Sequence, residues 1–220
     1  MSGVDAVSQR VKAAYAGAPR RERWHVAGRL RSCPVAAVAA ATPSAGRVLD
    51  FGCGHGAVAL YLAVTSADRR ITGVDVDGGK LLHARAAADA ARLPIEFEQV
   101  GASYRPTGQW NAITVVDVLY LLGEAAALDV LDHAAAALAP GGVLVIKEID
   151  VRPRWKFRLA TAQEVLATKL LHITEGSGVR FVPPTKIAER LRATGLQVEH
   201  RPLHRGRMHP HHLVVARKAG

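Results

Sequence analysis

Short β-branched runs alternate with amphipathic stretches along most of the chain. The runs are bounded by glycine or aspartate, which is typical of short buried strands. They lie at 47–50, 71–75, 95–100, 112–116 and 142–146. Apolar residues at helical spacing predict helices between them, near 56–66, 78–91 and 124–138. Strands that alternate with helices predict a mostly parallel sheet with helices on both faces.

The last third of the chain departs from this alternation. Helices are predicted near 155–172 and over 184–193, the second opening at Pro184 and ending before Gly195. Two strand-like runs, 197–201 and 212–216, follow with no helix between them. We therefore expect an α/β fold, a doubly wound seven-stranded and mostly parallel sheet closed by a C-terminal β-hairpin.

The pattern also predicts how the chain is organised. Residues 1–46 indicate two helices, near 5–17 and 22–41. We expect them to form an N-terminal helical cap that covers the opening of a ligand site in the core. Residues 47–150 form the core, and 151–220 add a lid-like helix and the hairpin. All three parts belong to one predicted domain, residues 1–220.

Composition excludes several classes of protein. Hydrophobic residues make up 49% of the 220, far more than in a disordered chain. No apolar run approaches the length of a membrane-spanning helix, and no secretory signal is visible at Met1. The two cysteines, Cys33 and Cys53, form no CxxC pair and suit a reducing compartment. We expect a cytoplasmic protein without a disulfide framework or a structural zinc site.

A glycine-rich turn follows the first strand. Gly52, Gly54 and Gly56 give the spacing G-x-G-x-G directly before a helix. Glycines let the backbone approach a ligand closely, and the helix N-terminus offers free N–H groups. Asp75 ends the second strand, where a carboxylate can accept hydrogen bonds from both ribose hydroxyls, with Asp77 as the alternate candidate. The turn therefore predicts a site for a ribose-bearing cofactor.

The run Val48-Leu49-Asp50-x-Gly-Cys-Gly-x-Gly, together with Asp75 and Leu138-Ala139-Pro140-Gly141-Gly142, resembles the class I S-adenosylmethionine-dependent methyltransferases. The likeness covers residues 47–150. A bacterial small-molecule subfamily is also similar at 23–34 and 148–157. A Rossmann-like domain that binds NAD is the alternative, although its glycine spacing is normally longer.

The resemblance implies S-adenosyl-L-methionine as cofactor and a role for each matching position. Asp50 orients the turn or the methionine amine, the glycines Gly52, Gly54 and Gly56 approach the cofactor, and Asp75 holds the ribose. Val76 packs on the adenine, and Asp117 after the fourth strand is a further cofactor contact. The acidic residue usual after the third strand is missing from Val100-Gly101-Ala102-Ser103, so Ser103 or a backbone carbonyl is expected to replace it.

The acceptor is expected at the carboxyl ends of the parallel strands, where open α/β sheets bind ligands. Glu148, Tyr120 and His209 are the candidates for a catalytic base, and His25 in the N-terminal cap is a further one. His55 lies inside the glycine turn, where it either faces the acceptor or only shapes the loop. Arginines of the fifth-strand exit and of the hairpin loop share this rim and favour an anionic acceptor. They are Arg152, Arg154, Arg205 and Arg207. The alternative is that they are solvated or pair with Glu148 and Asp150.

The charge leaves three functions open. A net charge of +10 is compatible with nucleic acid, an anionic membrane surface or an acidic substrate. Aromatic residues are scarce, at 5%, and no Asn/Asp-Pro-Pro-Tyr motif follows the fourth strand, which disfavours a nucleic acid. We predict a small, anionic or lipid-like acceptor, methylated on oxygen, carbon or nitrogen, with peripheral membrane contact through the 155–172 helix as an option. The alternatives are an RNA or protein methyltransferase and a non-catalytic cofactor-binding scaffold. The histidines 209, 211 and 212 lack a nearby third ligand, so no metal is predicted.

Overall fold

The computed structural model describes residues 3–149, 182–203 and 211–220. Three helices precede the sheet, and helices then alternate with strands up to the C-terminal hairpin. The helices are α1 (Gly3–Ala14), α2 (Arg20–Ser32), α3 (Val35–Ala41), α4 (Ala57–Thr65), α5 (Gly78–Ala90), α6 (Glu124–Ala136) and α7 (Pro184–Ala193). The strands are β1 (Gly46–Phe51), β2 (Arg69–Asp75), β3 (Ile95–Gln99), β4 (Trp110–Val116), β5 (Leu138–Ile149), β6 (Gln197–Pro202) and β7 (His211–Arg217). The helix predicted near 155–172 falls outside the described residues.

The sheet has seven strands in the order β3-β2-β1-β4-β5-β7-β6. β7 pairs antiparallel with both β5 and β6, and the other pairings are parallel. The prediction of a mostly parallel sheet closed by a hairpin is therefore confirmed. The strand order reverses between β1 and β4, so the carboxyl ends of these two strands border the crevice in which such sheets bind ligands.

Each face of the sheet carries its own apolar layer. On one face α4, buried from Ala57 to Leu62, packs with α1, α3 and α5. On the other face α6 and α7 pack through residues such as Leu131 and Leu191. Side chains of β5 alternate between the two layers, with Val145 in the first and Ile146 in the second. The alternation fixes which face each polar residue at the end of β5 can reach.

The predicted helix over 22–41 is wrong, because two helices occupy that stretch. α2 ends at Ser32, and Cys33 is extended with φ −83° and ψ 133°. Pro34 is the cause. It donates no backbone hydrogen bond, and its ring disfavours the helical conformation in the residue before it.

Candidate functional site

The chain leaves β1 through a turn built on positive φ angles. Gly52, Gly54 and Gly56 have φ of +70°, +53° and +76°, a conformation that costs other residues free energy. The backbone N–H groups of Gly52 and Cys53 both donate to the carbonyl of Val74, at 2.8 and 3.0 Å. These bonds hold the turn against the end of β2.

The three glycines differ in what surrounds them. A Cβ on Gly52 would lie 2.5 Å from a methyl of Val118, and one on Gly56 would lie 2.9 Å from Phe97. A Cβ on Gly54 would have no neighbour closer than 3.9 Å, and one of those neighbours is a carboxylate oxygen of Asp75. Gly52 and Gly56 are therefore required by packing, whereas a Cβ on Gly54 would stand at ordinary van der Waals distance from the Asp75 carboxylate.

Asp75 and Asp77, the two candidates for the ribose contact, have different partners. Asp75 accepts from the N–H of Gly54 at 2.7 Å and from the N–H of Asp77 at 2.9 Å, one bond on each oxygen. Asp77 caps α5, where it accepts from the N–H of Lys80 at 3.1 Å, and its other oxygen lies 3.2 Å from Lys80 Nζ. Each Asp75 oxygen keeps a lone pair beside the uncrowded Gly54 backbone, whereas both Asp77 oxygens are engaged by Lys80, so the geometry favours Asp75 over Asp77.

Asp50 presents a buried oxygen without a donor. The residue is 1% exposed, and its Oδ1 accepts from the hydroxyl of Thr114 at 2.8 Å. Its Oδ2 has no hydrogen-bond partner among the described residues. Burial raises the pKa of this carboxyl to about 7. A buried acceptor without a donor is unfavourable, so Asp50 is suited to receive a proton-donating group of a ligand.

Helices α1 and α2 are bonded to the glycine turn. The hydroxyl of buried Tyr15, just beyond α1, donates to the carbonyl of His55. His55 Nε2 lies 2.5 Å from Glu22 Oε2 on α2, and the His25 ring centroid lies 4.6 Å from that of His55. Burial lowers the pKa of His55 below its usual value. His55 thus joins the predicted cap to the turn, through contacts that no sequence pattern identified.

A buried charge cluster stands at the carboxyl ends of β4 and β5. Asp117 has a φ of +56°, rare outside glycine, and its Oδ1 lies 2.5 Å from Nζ of the fully buried Lys147. Arg29, on α2, donates to the carbonyl of Val116 at 2.8 Å and lies 3.1 Å from Asp117 Oδ2. Burial alone would raise the pKa of Asp117, but the two cations hold it below its usual value.

Glu148 points to the opposite side of the sheet from Lys147. Its Oε1 accepts from the N–H groups of Val118 and Leu119, both at 2.9 Å, and so anchors the 3₁₀ turn Leu119–Leu121. Burial and the nearby Asp117 carboxylate raise the pKa of Glu148. Its general-base role stays a prediction, and the structure adds a structural role for the same carboxylate.

The remaining sequence candidates divide into two groups. Tyr120 is half-buried on the 3₁₀ turn, while Val76 and Ser103 are exposed where β2 and β3 end. The other candidates lie outside the described residues. They are Arg152, Arg154, Arg205, Arg207 and His209.

Sequence reasoning missed Tyr15, Glu22, Arg29 and Lys147. Only Lys147 carried a usable signal, because it is a charged residue inside the apolar run that forms β5. The other three gave no such signal, because only the fold brings Tyr15 and Glu22 to the glycine turn and Arg29 to the end of β4.

Comparisons with known proteins show the family and the fold of this chain. Residues 24–201 match the family model described as a methyltransferase domain. The ubiquinone biosynthesis O-methyltransferase of Marinobacter nauticus is 26% identical over 158 residues, which cover 69% of this chain and 64% of that protein. The chain spans less than two thirds of the length of the curated relatives it matches first.

Solved structures share the fold. An O-methyltransferase family protein from Burkholderia thailandensis superposes with a TM-score of 0.72 at 22% identity, covering 91% of this chain and 60% of that one. Magnesium protoporphyrin IX methyltransferase from Synechocystis, solved with bound SAH, gives 0.65 at 16% identity, covering 96% and 94%. At these identities the likeness concerns the fold alone.

Proposed function

The chain belongs to the family of methyltransferase-domain proteins, and we propose that it transfers the methyl group of S-adenosylmethionine to a small-molecule acceptor. The observation that carries the proposal is the pairing of two features at one turn. The Asp75 carboxylate lies beside the uncrowded backbone of Gly54, and Asp50 has a buried oxygen without a donor. A ligand with ribose hydroxyls and an amino-acid ammonium would satisfy both carboxylates.

The residues of the turn fit this cofactor. Asp75 would accept from the ribose hydroxyls, and Asp50 from the methionine ammonium, directly or through a water. The backbone at Gly52 and Gly54 would lie against the cofactor, with Val76 and Ser103 beside its adenine. When bound, the cofactor supplies a sulfonium methyl group open to nucleophilic attack.

We infer that the cap closes the site from above. α2 contacts His55 in the glycine turn after β1 and Asp117 after β4. It therefore lies over both strand ends that border the crevice. Water excluded there would strengthen each charge contact in the site. Asp117, which the sequence marked as a cofactor contact, is held by Lys147 and Arg29 and would keep its charge in the closed site.

For the acceptor we propose a hydroxyl-bearing small molecule with a carboxylate or phosphate. The O-methyltransferase relatives support an oxygen acceptor, and the arginines at 152, 154, 205 and 207 support an anion. Methyl transfer to oxygen aligns the acceptor lone pair with the methyl group and moves the hydroxyl proton to a base. Glu148, Tyr120 and His209 are the proposed bases.

The experiment uses S-adenosylmethionine labelled in its methyl group and an extract of the source cells. After incubation with the protein, label is counted in small-molecule, RNA and protein fractions. The proposal expects label in the small-molecule fraction, absent for Gly54→Val and kept for Glu189→Gln on α7. Label in the RNA or protein fraction would show that the acceptor is an RNA or a protein instead of a small molecule. Label in no fraction would favour a non-catalytic cofactor-binding scaffold.

A further inference from the structure

The outward face of α2 carries an exposed tryptophan. Trp24 is 74% exposed, whereas Trp110, in β4, is buried. Tryptophan side chains are highly buried on average, so this exposed one stands out on a helix whose other side contacts the glycine turn. Trp24 places one large apolar side chain on the outward face of α2.

Four arginines surround Trp24 on the same helix. Arg20, Arg21, Arg23 and Arg31 are all exposed. Arg20 is one turn before Trp24 and Arg31 two turns after it, so both lie on the same face of the helix as Trp24. In the part of the chain that the structure describes, none of the four forms an ion pair with an acidic side chain.

The single acid of α2 does not offset these charges, because it points inward. Glu22 is engaged with His55, and Arg29 on the same inner side is engaged with Asp117. Val26 is the buried apolar contact between them. The helix thus separates an inner face bonded to the site from an outer face of arginines around one aromatic ring.

We propose that this outer face docks on an anionic lipid surface. Arginine side chains are attracted to the negative potential of anionic headgroups, and tryptophan prefers the interface between headgroups and acyl chains. A convex helix with one central aromatic residue suits a flat surface. Single-stranded nucleic acid is instead bound in grooves with several stacking aromatic rings, and aromatic residues make up only 5% of this chain.

Docking through α2 would turn the crevice toward the bilayer. The 3₁₀ turn at the rim exposes Leu121, and Val76 is exposed where β2 ends at the same edge of the sheet. Both residues lie at the carboxyl edge of the parallel strands, the edge that α2 contacts through Arg29. The proposed docking surface consists of α2 residues only, so it does not depend on which acceptor is methylated.

The test is sedimentation of the full chain with phosphatidylcholine vesicles, with and without phosphatidylglycerol. We expect binding only when phosphatidylglycerol is present, and a decrease as salt is raised. Changing Arg20, Arg21, Arg23 and Arg31 together to glutamine should lower the partition coefficient at least about tenfold. Trp24→Phe should abolish the blue shift of tryptophan fluorescence that accompanies binding.

A matched control removes four other exposed arginines, Arg70, Arg92, Arg192 and Arg217, which lie toward the amino-terminal edge of the parallel strands. It loses the same charge and should keep most of the vesicle binding. Equal losses in both variants would reduce the effect to net charge and overturn the proposal. So would absence of binding to phosphatidylglycerol vesicles, or tight α2-dependent binding of single-stranded RNA without vesicle binding.

Discussion

Lys147 Nζ lies 2.5 Å from Asp117 Oδ1, in a pair that joins the carboxyl ends of β4 and β5. Lys147 is fully buried, and the Asp117 backbone has a φ of +56°. A charged side chain without solvent and a residue in a rarely populated conformation are both unfavourable, and such features cluster at functional sites. Arg29 adds the second cation from α2, and its ion pair with Asp117 ties this helix to the sheet.

Removing the cation of this pair should destabilise the fold. Lys147→Met removes the cation nearest to the buried Asp117 carboxylate and leaves the ion pair with Arg29, and we expect a loss of about 3 kcal/mol in the free energy of unfolding. Urea denaturation monitored by circular dichroism measures it. Lys186→Met, which breaks an exposed pair with Glu124, is the control and should change little. Equal losses in the two variants would mean that the buried pair contributes no more to the free energy of unfolding than the exposed pair does.

Cofactor binding should release a proton near neutral pH. Burial raises the pKa of Asp50 to about 7 from 3.8, so the free carboxyl is partly protonated there. A bound ammonium favours the ionised form and lowers this pKa, so affinity should rise as pH increases through 7. Titration calorimetry with S-adenosylhomocysteine in buffers of different ionisation enthalpy counts the protons.

Asp50→Asn supplies the control for this linkage, because it keeps the shape of the side chain and cannot titrate. The proton release should vanish in that variant. An unchanged proton count would assign the release to another group and remove Asp50 from the ammonium contact.

The bond from Tyr15 to the turn should matter for the cofactor. Tyr15→Phe removes the hydroxyl that donates to the carbonyl of His55, and we expect about a fivefold loss of S-adenosylhomocysteine affinity, or about 1 kcal/mol. Tyr61→Phe, on α4, changes another buried tyrosine and should leave the affinity unaltered. A loss of affinity in both variants would indicate a general destabilisation of the core instead of a specific role for the Tyr15 hydroxyl.

The rim arginines should affect the acceptor alone. Arg152→Gln removes one proposed charge-assisted contact, so KM for the acceptor should rise about tenfold or more while cofactor affinity stays constant. Steady-state kinetics with the acceptor found in the labelling experiment measure both. A fall in kcat with constant KM would give Arg152 a role in the reaction step instead of in acceptor binding.

Local patterns sufficed for the sheet and for the glycine turn. Strand periodicity, turn glycines and the hairpin signal depend on neighbouring residues, so the seven strands and their direction could be predicted. The break at Pro34 also has a local cause, the effect of proline on the preceding residue, although the apolar pattern over 22–41 predicts one helix. The contacts of Arg29 and Tyr15 were not readable, since they join residues 88 and 40 positions apart, Arg29 with Asp117 and Tyr15 with His55. Only the packing of the cap brings such pairs together.

Calorimetric titration of S-adenosylhomocysteine into the wild type, Asp75→Asn and Asp77→Asn tests the central claim most directly. The account predicts binding to the wild type, a loss of about ten- to hundredfold in Asp75→Asn, and near-normal binding in Asp77→Asn, because asparagine also caps a helix. Equal affinity in all three proteins would contradict the ribose assignment, and preferential binding of NAD would contradict the cofactor.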